Sequence, residues 1–165
     1  MRISQEQFRK VLGYFATGVT VITTRQPSGK PWGFTVNSFT SVSLSPPLVL
    51  VCVDHGTESF EVMSKAEVFA VNILAEDQAE LSRRFASKRA DRFANVAWSE
   101  GAHGSPLLAG CLGHLECRKT ASHIHGDHTI VIGEVLEARA AGGNPLLFYH
   151  SSYSRLEPSA EPAKR

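Results

Sequence analysis

Polar and apolar residues alternate along residues 33–54, GFTVNSFTSVSLSPPLVLVCVD. If this stretch is extended, one face carries small polar side chains with one aromatic among them: Thr35, Asn37, Phe39, Ser41 and Ser43. The opposite face is mostly apolar and is expected to pack against a core: Phe34, Val36, Ser38, Thr40, Val42 and Leu44. After the turn Ser45-Pro46-Pro47, the aliphatic run 48–53 is typical of a strand buried on both faces.

The polar face of this stretch has two interpretations. Polar faces of antiparallel sheets commonly meet water, which is the ordinary structural explanation. A strand that presents several hydroxyl and amide groups next to a rigid turn is also suited to hold a flat polar ligand. The alternation by itself leaves both interpretations open.

Hydrophobic periodicity elsewhere predicts a mainly β chain with a few short helices. Ser4 and Gln7 have the spacing of a capping box, and the apolar positions that follow predict a helix over about residues 5–15. Further helices are expected at 57–66 and 76–85, and strands at 19–24, 68–74, 107–118, 129–138 and 146–150. Because regular βαβ alternation is missing, we expect a closed or nearly closed antiparallel barrel.

Composition narrows the class of protein. A chain of 165 residues with a net charge of +1 and 20% charged residues suits one domain and gives no electrostatic reason to bind nucleic acid or a membrane. Its three cysteines lack the spacing of a disulfide framework, and its amino terminus lacks a hydrophobic signal core. These features predict a cytoplasmic protein with reduced thiols.

Common catalytic and metal-binding motifs are missing from the sequence. It contains no nucleophile elbow, Walker loop or dinucleotide fingerprint. Several possible metal ligands are close in sequence: His114, Cys117, His123, His125 and His128. Their spacing matches no zinc finger, and three of the histidines surround a Gly-Asp turn, so we expect no metal site.

A basic segment, ASKRADRFAN at 86–95, has no apolar period and is predicted to be a loop. Its cations Lys88 and Arg92 could simply be solvated. Phosphates need fixed cations, whereas an isoalloxazine ring needs polar groups along one edge and apolar contacts on its face. This loop and the polar strand together are therefore able to provide both halves of a flavin nucleotide site.

Six segments in order resemble the short-chain flavin reductases, which are the reductase components of two-component flavin-dependent monooxygenases. They are TGVTVITT (17–24), 33–54, FAVNIL (69–74), LSRRFASKRADRFANVAW (81–98), GDHTIVIGEV (126–135) and PLLFYHSSYSRL (145–156). The resemblance implies an FMN-binding split barrel, an antiparallel Greek-key barrel with short flanking helices, over residues 1–156. Residues 157–165 are then expected to be a disordered carboxy-terminal tail.

The resemblance also implies residue roles. Flavin-binding residues would be Thr35, Val36, Asn37, Ser38, Ser41, Val42 and Ser43 at the ring and ribityl chain, and Ser87, Lys88, Arg92 and Phe93 at the phosphate. His128 would be the catalytic residue beside the nicotinamide, with Tyr153 completing that pocket, while the contacts of 54–59 stay open.

The implied activity is an NAD(P)H:flavin oxidoreductase. It would use NADH or NADPH to reduce FMN or FAD, work as a homodimer and deliver reduced flavin to a partner monooxygenase. The alternative is a flavin-binding or flavin-sensing module of the same fold without catalysis. Direct hydride transfer between two stacked rings requires no nucleophile, which fits the missing motifs.

Overall fold

The computed structural model describes residues 3–157, which contain three short helices and twelve strands. The helices are α1 (Gln5–Leu12), α2 (Glu58–Lys65) and α3 (Ala79–Ala86). The strands are β1 (Thr17–Gly18), β2 (Thr20–Arg25), β3 (Pro31–Val36), β4 (Phe39–Leu44), β5 (Pro47–Asp54), β6 (Val68–Ile73), β7 (Trp98–Glu100), β8 (Pro106–Leu108), β9 (Gly113–His125), β10 (His128–Ala140), β11 (Leu147–Tyr149) and β12 (Ser152–Ser154).

Seven strands form one antiparallel sheet in the order β3-β2-β6-β9-β10-β5-β4. Its two outermost strands, β3 and β4, are consecutive in the chain and are separated only by residues 37 and 38. Two residues span about 7 Å at most, so the two ends of the sheet must meet at this corner. The sheet therefore curls into a barrel, which confirms the predicted fold class.

Two apolar clusters hold this barrel together. The first fills the interior and includes Ile22, Val51 and Phe69, all fully buried. The second includes Val21 and Phe85 and lies on the other side of the sheet, beneath α3. Adjacent residues of β2 thus belong to different clusters, which explains why this β-branched strand is buried on both faces.

The predicted helices occur, with shifted ends. Ser4 Oγ accepts a hydrogen bond from the Gln7 N–H at 3.1 Å, which confirms the amino-terminal cap. The helix ends at Leu12 rather than near residue 15, because Gly13 caps it by donating to the Arg9 carbonyl. The third helix begins at Ala79, three residues later than expected.

The expectation for residues 34–44 was wrong in two ways. The stretch is not one strand, because the corner at 37 and 38 divides it, and its supposedly buried face is open: Val42 is 47% and Leu44 is 94% exposed. Strand β4 lies at the sheet edge, and a register shift between Ser41 and Ser43 turns the end of the strand away from the core.

Strand β5 was predicted to be buried on both faces, and this was also wrong. Its burial alternates: Val49, Val51 and Val53 are buried, while residues 48, 50 and 52 are only partly covered. Apart from Glu157, the predicted tail 157–165 lies outside the described residues. Within residues 3–157, no helix is long and apolar enough to cross a membrane.

Candidate functional site

A cavity of about 530 Å³ lies at the corner where the barrel closes. Four segments line it: the end of β3 with the corner, the end of β5, the start of α2, and the chain after α3. The lining residues are Phe34–Ser38, Cys52–Asp54, Gly56–Ser59, Phe85–Lys88, Arg92 and His128. The structure thus brings together eight of the residues predicted for a site: Thr35, Val36, Asn37, Ser38, Ser87, Lys88, Arg92 and His128.

Two hydroxyl groups in this wall are already engaged by the protein. Thr35 Oγ1 donates to the Ser82 carbonyl of α3 at 2.7 Å. Ser38 Oγ donates to the Cys52 carbonyl at 3.1 Å and accepts from the Cys52 N–H at 3.2 Å. These side chains therefore fix the corner to its neighbours, and the corner offers a ligand mainly its backbone groups and the exposed amide of Asn37.

Arg92 connects the basic loop to the barrel. Its guanidinium donates from Nε to the Ser87 carbonyl at 2.9 Å and from Nη1 to the Gly33 carbonyl at 3.0 Å, and lies 4.6 Å from the centre of the Trp32 ring. The residue is only 8% exposed, and this burial lowers its pKa, although an arginine remains charged at neutral pH. Arg92 thus holds Ser87 and Lys88 against the cavity.

Lys88 is the exposed cation of the site. It lines the cavity and makes no ion pair or hydrogen bond among the described residues. The neighbouring Arg92 spends two donors on backbone carbonyls. Lys88 is therefore the side chain best placed to meet a phosphate, with Arg92 adding a fixed positive charge.

The start of α2 also faces the cavity, although sequence reasoning left residues 54–59 open. Asp54 organises this turn, because its Oδ1 accepts from the Gly56 N–H at 2.8 Å and its carbonyl accepts from Thr57 Oγ1 at 2.7 Å. The first N–H groups of a helix lack partners within it and carry partial positive charge. Thr57 before an apolar period is an N-cap signal that would have located this wall.

His128 occupies the rim of the cavity at the start of β10, opposite Asp54 on β5. Its Nδ1 lies 2.7 Å from Asp127 Oδ1, and its side chain is 44% exposed. The hydrogen bond with His128 lowers the pKa of Asp127. The carboxylate thereby orients the ring and leaves Nε2 free to contact a ligand.

Five predicted site residues do not line this cavity. Ser41, Val42 and Ser43 lie on the edge strand β4. Phe93 packs edge-to-face against Phe85 at 5.0 Å, and Tyr153 donates to Ser82 Oγ at 2.7 Å beneath the Arg83 guanidinium. Their contact with a ligand stays a prediction, and within the single chain Phe93 and Tyr153 act by supporting α3.

The cavity is suited to binding rather than to nucleophilic attack. Burial raises the pKa of the lining thiol Cys52, which keeps it protonated at neutral pH. In the described part of the chain, no three His, Cys, Asp or Glu side chains are grouped to hold a metal ion. Cations at one end, backbone groups along one strand, and apolar walls from Phe34, Val53 and Phe85 favour a flat ring that carries a phosphate.

Comparison with known proteins identifies relatives over nearly the whole chain. The flavin reductase like domain matches residues 12–157. The reductase subunit HsaB of a flavin-dependent monooxygenase from Rhodococcus jostii (strain RHA1) is 42% identical over 157 residues, 94% of this chain and 80% of HsaB. The FMN reductase (NADH) SmoA of Agrobacterium fabrum (strain C58) is 43% identical over 93% of this chain and 87% of SmoA.

A solved structure gives the same result for the fold. The NADH:FAD oxidoreductase SgcE6 of Streptomyces globisporus C-1027, in complex with NAD and FAD fragments, superposes with a TM-score of 0.91 at 41% identity. The match covers 96% of each chain.

Proposed function

The chain belongs to the flavin reductase like domain family, and from this premise we propose its function. It is an NAD(P)H:flavin oxidoreductase that transfers hydride from a nicotinamide to FMN or FAD. It supplies the reduced flavin to a partner flavin-dependent monooxygenase, as the reductase subunits among its relatives do.

One observation carries the assignment of the site: a single cavity combines a cationic end with a backbone-lined strand and apolar walls. Lys88, the start of α2 and the Arg92 charge would hold the flavin phosphate. Backbone groups from Thr35 to Ser38 would hold the ring edge, and Phe34 and Val53 would contact its face. This arrangement needs no further catalytic acid on the flavin side.

His128 would act on the nicotinamide side. When bound, the two rings supply the redox chemistry themselves, as a hydride moves from nicotinamide C4 to flavin N5. The role left to the protein is to stack the rings and exclude water. His128, held by Asp127, would orient the nicotinamide through a hydrogen bond and would not remove a proton.

We also propose that the chain works as a homodimer in the cytoplasm. Two apolar surfaces support the dimer: α1 exposes Phe8 and Val11 by 53% and 61%, and the edge strand exposes Leu44 by 94%. All three cysteines are free, as expected for a reducing compartment. Sedimentation equilibrium should give twice the chain mass, and a monomer at the concentrations used for turnover would contradict the dimer.

Steady-state NADH oxidation, measured with and without FMN or FAD, tests the function. We expect saturable oxidation that requires added or retained flavin. The alternative, a flavin-binding module, predicts that flavin fluorescence changes on mixing while neither NADH nor NADPH is consumed.

The Lys88→Ala variant tests the site itself. Loss of one phosphate contact should raise the flavin Kd by about tenfold and leave unfolding unchanged, because the side chain is exposed. Lys30→Ala, which removes an equally exposed cation away from this cavity, is the matched control and should bind flavin normally. Equal effects of the two substitutions would contradict the assigned phosphate end.

A further inference from the structure

A second cavity of about 540 Å³ adjoins the first on the other side of the chain that follows α3. Three arginines line it, Arg83, Arg84 and Arg89, and we call it the arginine cavity. Its remaining walls come from Glu80, Leu81 and Ser87 and from residues 95–97 and 109. Ser87 lines both cavities, so the two meet at the segment assigned to the flavin phosphate.

The three arginines are not equivalent. Arg83 is paired with Glu80, and Arg89 is bound by Asp91 through two hydrogen bonds of 3.0 and 3.1 Å. Arg84 makes neither an ion pair nor a side-chain hydrogen bond among the described residues, and its Nε is buried without a partner. A buried donor on a charged group is costly to leave unpaired.

The charge of the cavity therefore favours an anion. Only one carboxylate, Glu80, lines the cavity, and it is already engaged by Arg83. A guanidinium with free donors is the side chain best matched to phosphate oxygens, because its planar fork binds two of them at once. The cavity volume is also sufficient for a nucleotide.

We propose that the arginine cavity binds the adenylate half of FAD and gives the enzyme its preference for FAD over FMN. FAD differs from FMN by an AMP group esterified to the flavin phosphate. With that phosphate held at Ser87 and Lys88, the second phosphate passes over Ser87 to Arg84. This inference rests on the proposed flavin site but not on turnover, because it concerns binding.

The test measures flavin binding by fluorescence titration without nicotinamide, for wild type, Arg84→Gln and Arg84→Lys. We expect Arg84→Gln to weaken FAD binding by about 10-fold to 100-fold, the effect of losing one charge-assisted hydrogen bond, and to leave FMN binding unchanged. Arg84→Lys should restore part of the FAD affinity. Normal FMN binding by the same sample shows that the variant is folded.

Arg118→Gln is the matched control, because Arg118 is an exposed arginine that lines neither cavity and is paired with Glu134. It should change neither affinity. The inference is overturned if Arg84→Gln weakens FAD and FMN equally, or weakens neither.

The 2′-phosphate of NADPH offers the same phosphoryl chemistry, so Michaelis constants for NADH and NADPH are measured in parallel. A rise for NADPH alone, with FAD binding unchanged, would assign the cavity to the nicotinamide nucleotide and overturn the proposal. Failure of wild type to bind FMN at all would instead refute the proposed function.

Discussion

Gly33 controls how closely α3 approaches the barrel, and Gly33→Ala is the sharpest structural test of the site. A Cβ at this position would lie 2.8 Å from Phe85 Cε1 and 3.2 Å from the Ile22 carbonyl oxygen. The Phe85 ring is 1% exposed and has little room to move. Overpacking of this kind costs about 1–3 kcal/mol, so we expect the free energy of unfolding to fall by that amount.

The same displacement should weaken flavin binding, because Phe85 and Ser87 line the cavity. Urea unfolding and flavin titration are measured for Gly33→Ala, Phe85→Leu and the double variant. Since the smaller leucine makes room for the added methyl group, the double variant should be more stable than the sum of the single effects by about 0.5–3 kcal/mol.

Gly18→Ala is the control, because no atom lies within 4 Å of a Cβ added at Gly18. The reasoning is refuted if Gly33→Ala is as stable as this control. It is equally refuted if the effects of Gly33→Ala and Phe85→Leu add within about 0.5 kcal/mol, which would show that the two sites do not interact.

Three further predictions concern the corner, the core and the rim. Ser38→Ala removes both hydrogen bonds to Cys52 and should lower the free energy of unfolding by about 1–3 kcal/mol, measured in urea. Burial raises the pKa of Cys117 from 9.0 to about 12, so stability present below pH 9 should fall by about 1.4 kcal/mol per pH unit above it as the unfolded chain loses this proton first. Cys117→Ala should remove this component of the slope, and an unchanged slope would contradict the assignment. Asp127→Asn should raise the Michaelis constant for NADH without changing flavin affinity, because the His128 ring loses its charged partner.

The elements that local sequence determines were predictable. The Ser4 cap bonds Gln7 as the capping box requires, and the β-branched run of β2 is a buried strand. Exposure along the edge strand was not predictable, because the alternation of Val42 and Leu44 does not reveal that no further strand covers them. Burial of such residues depends on strand order and possibly on a second chain, which no local pattern encodes.

The candidate site was predictable in part. The ordered resemblance named eight residues that the structure brings to one cavity, including Lys88 and His128. It also named Phe93 and Tyr153, which the single chain uses to support α3. Conversely, the wall at 56–59 was missed because its contribution is the amino-terminal end of α2 rather than a particular side chain.

The central claim is that this chain reduces flavin with a nicotinamide, and anaerobic rapid mixing tests it most directly. NADH is mixed with FMN or FAD in the presence and absence of the protein, and the visible absorbance of oxidised flavin is followed without oxygen. The account predicts rapid loss of this absorbance, with one equivalent of NADH consumed per flavin, only when the protein is present. Flavin that is bound but keeps its absorbance with both NADH and NADPH would contradict it.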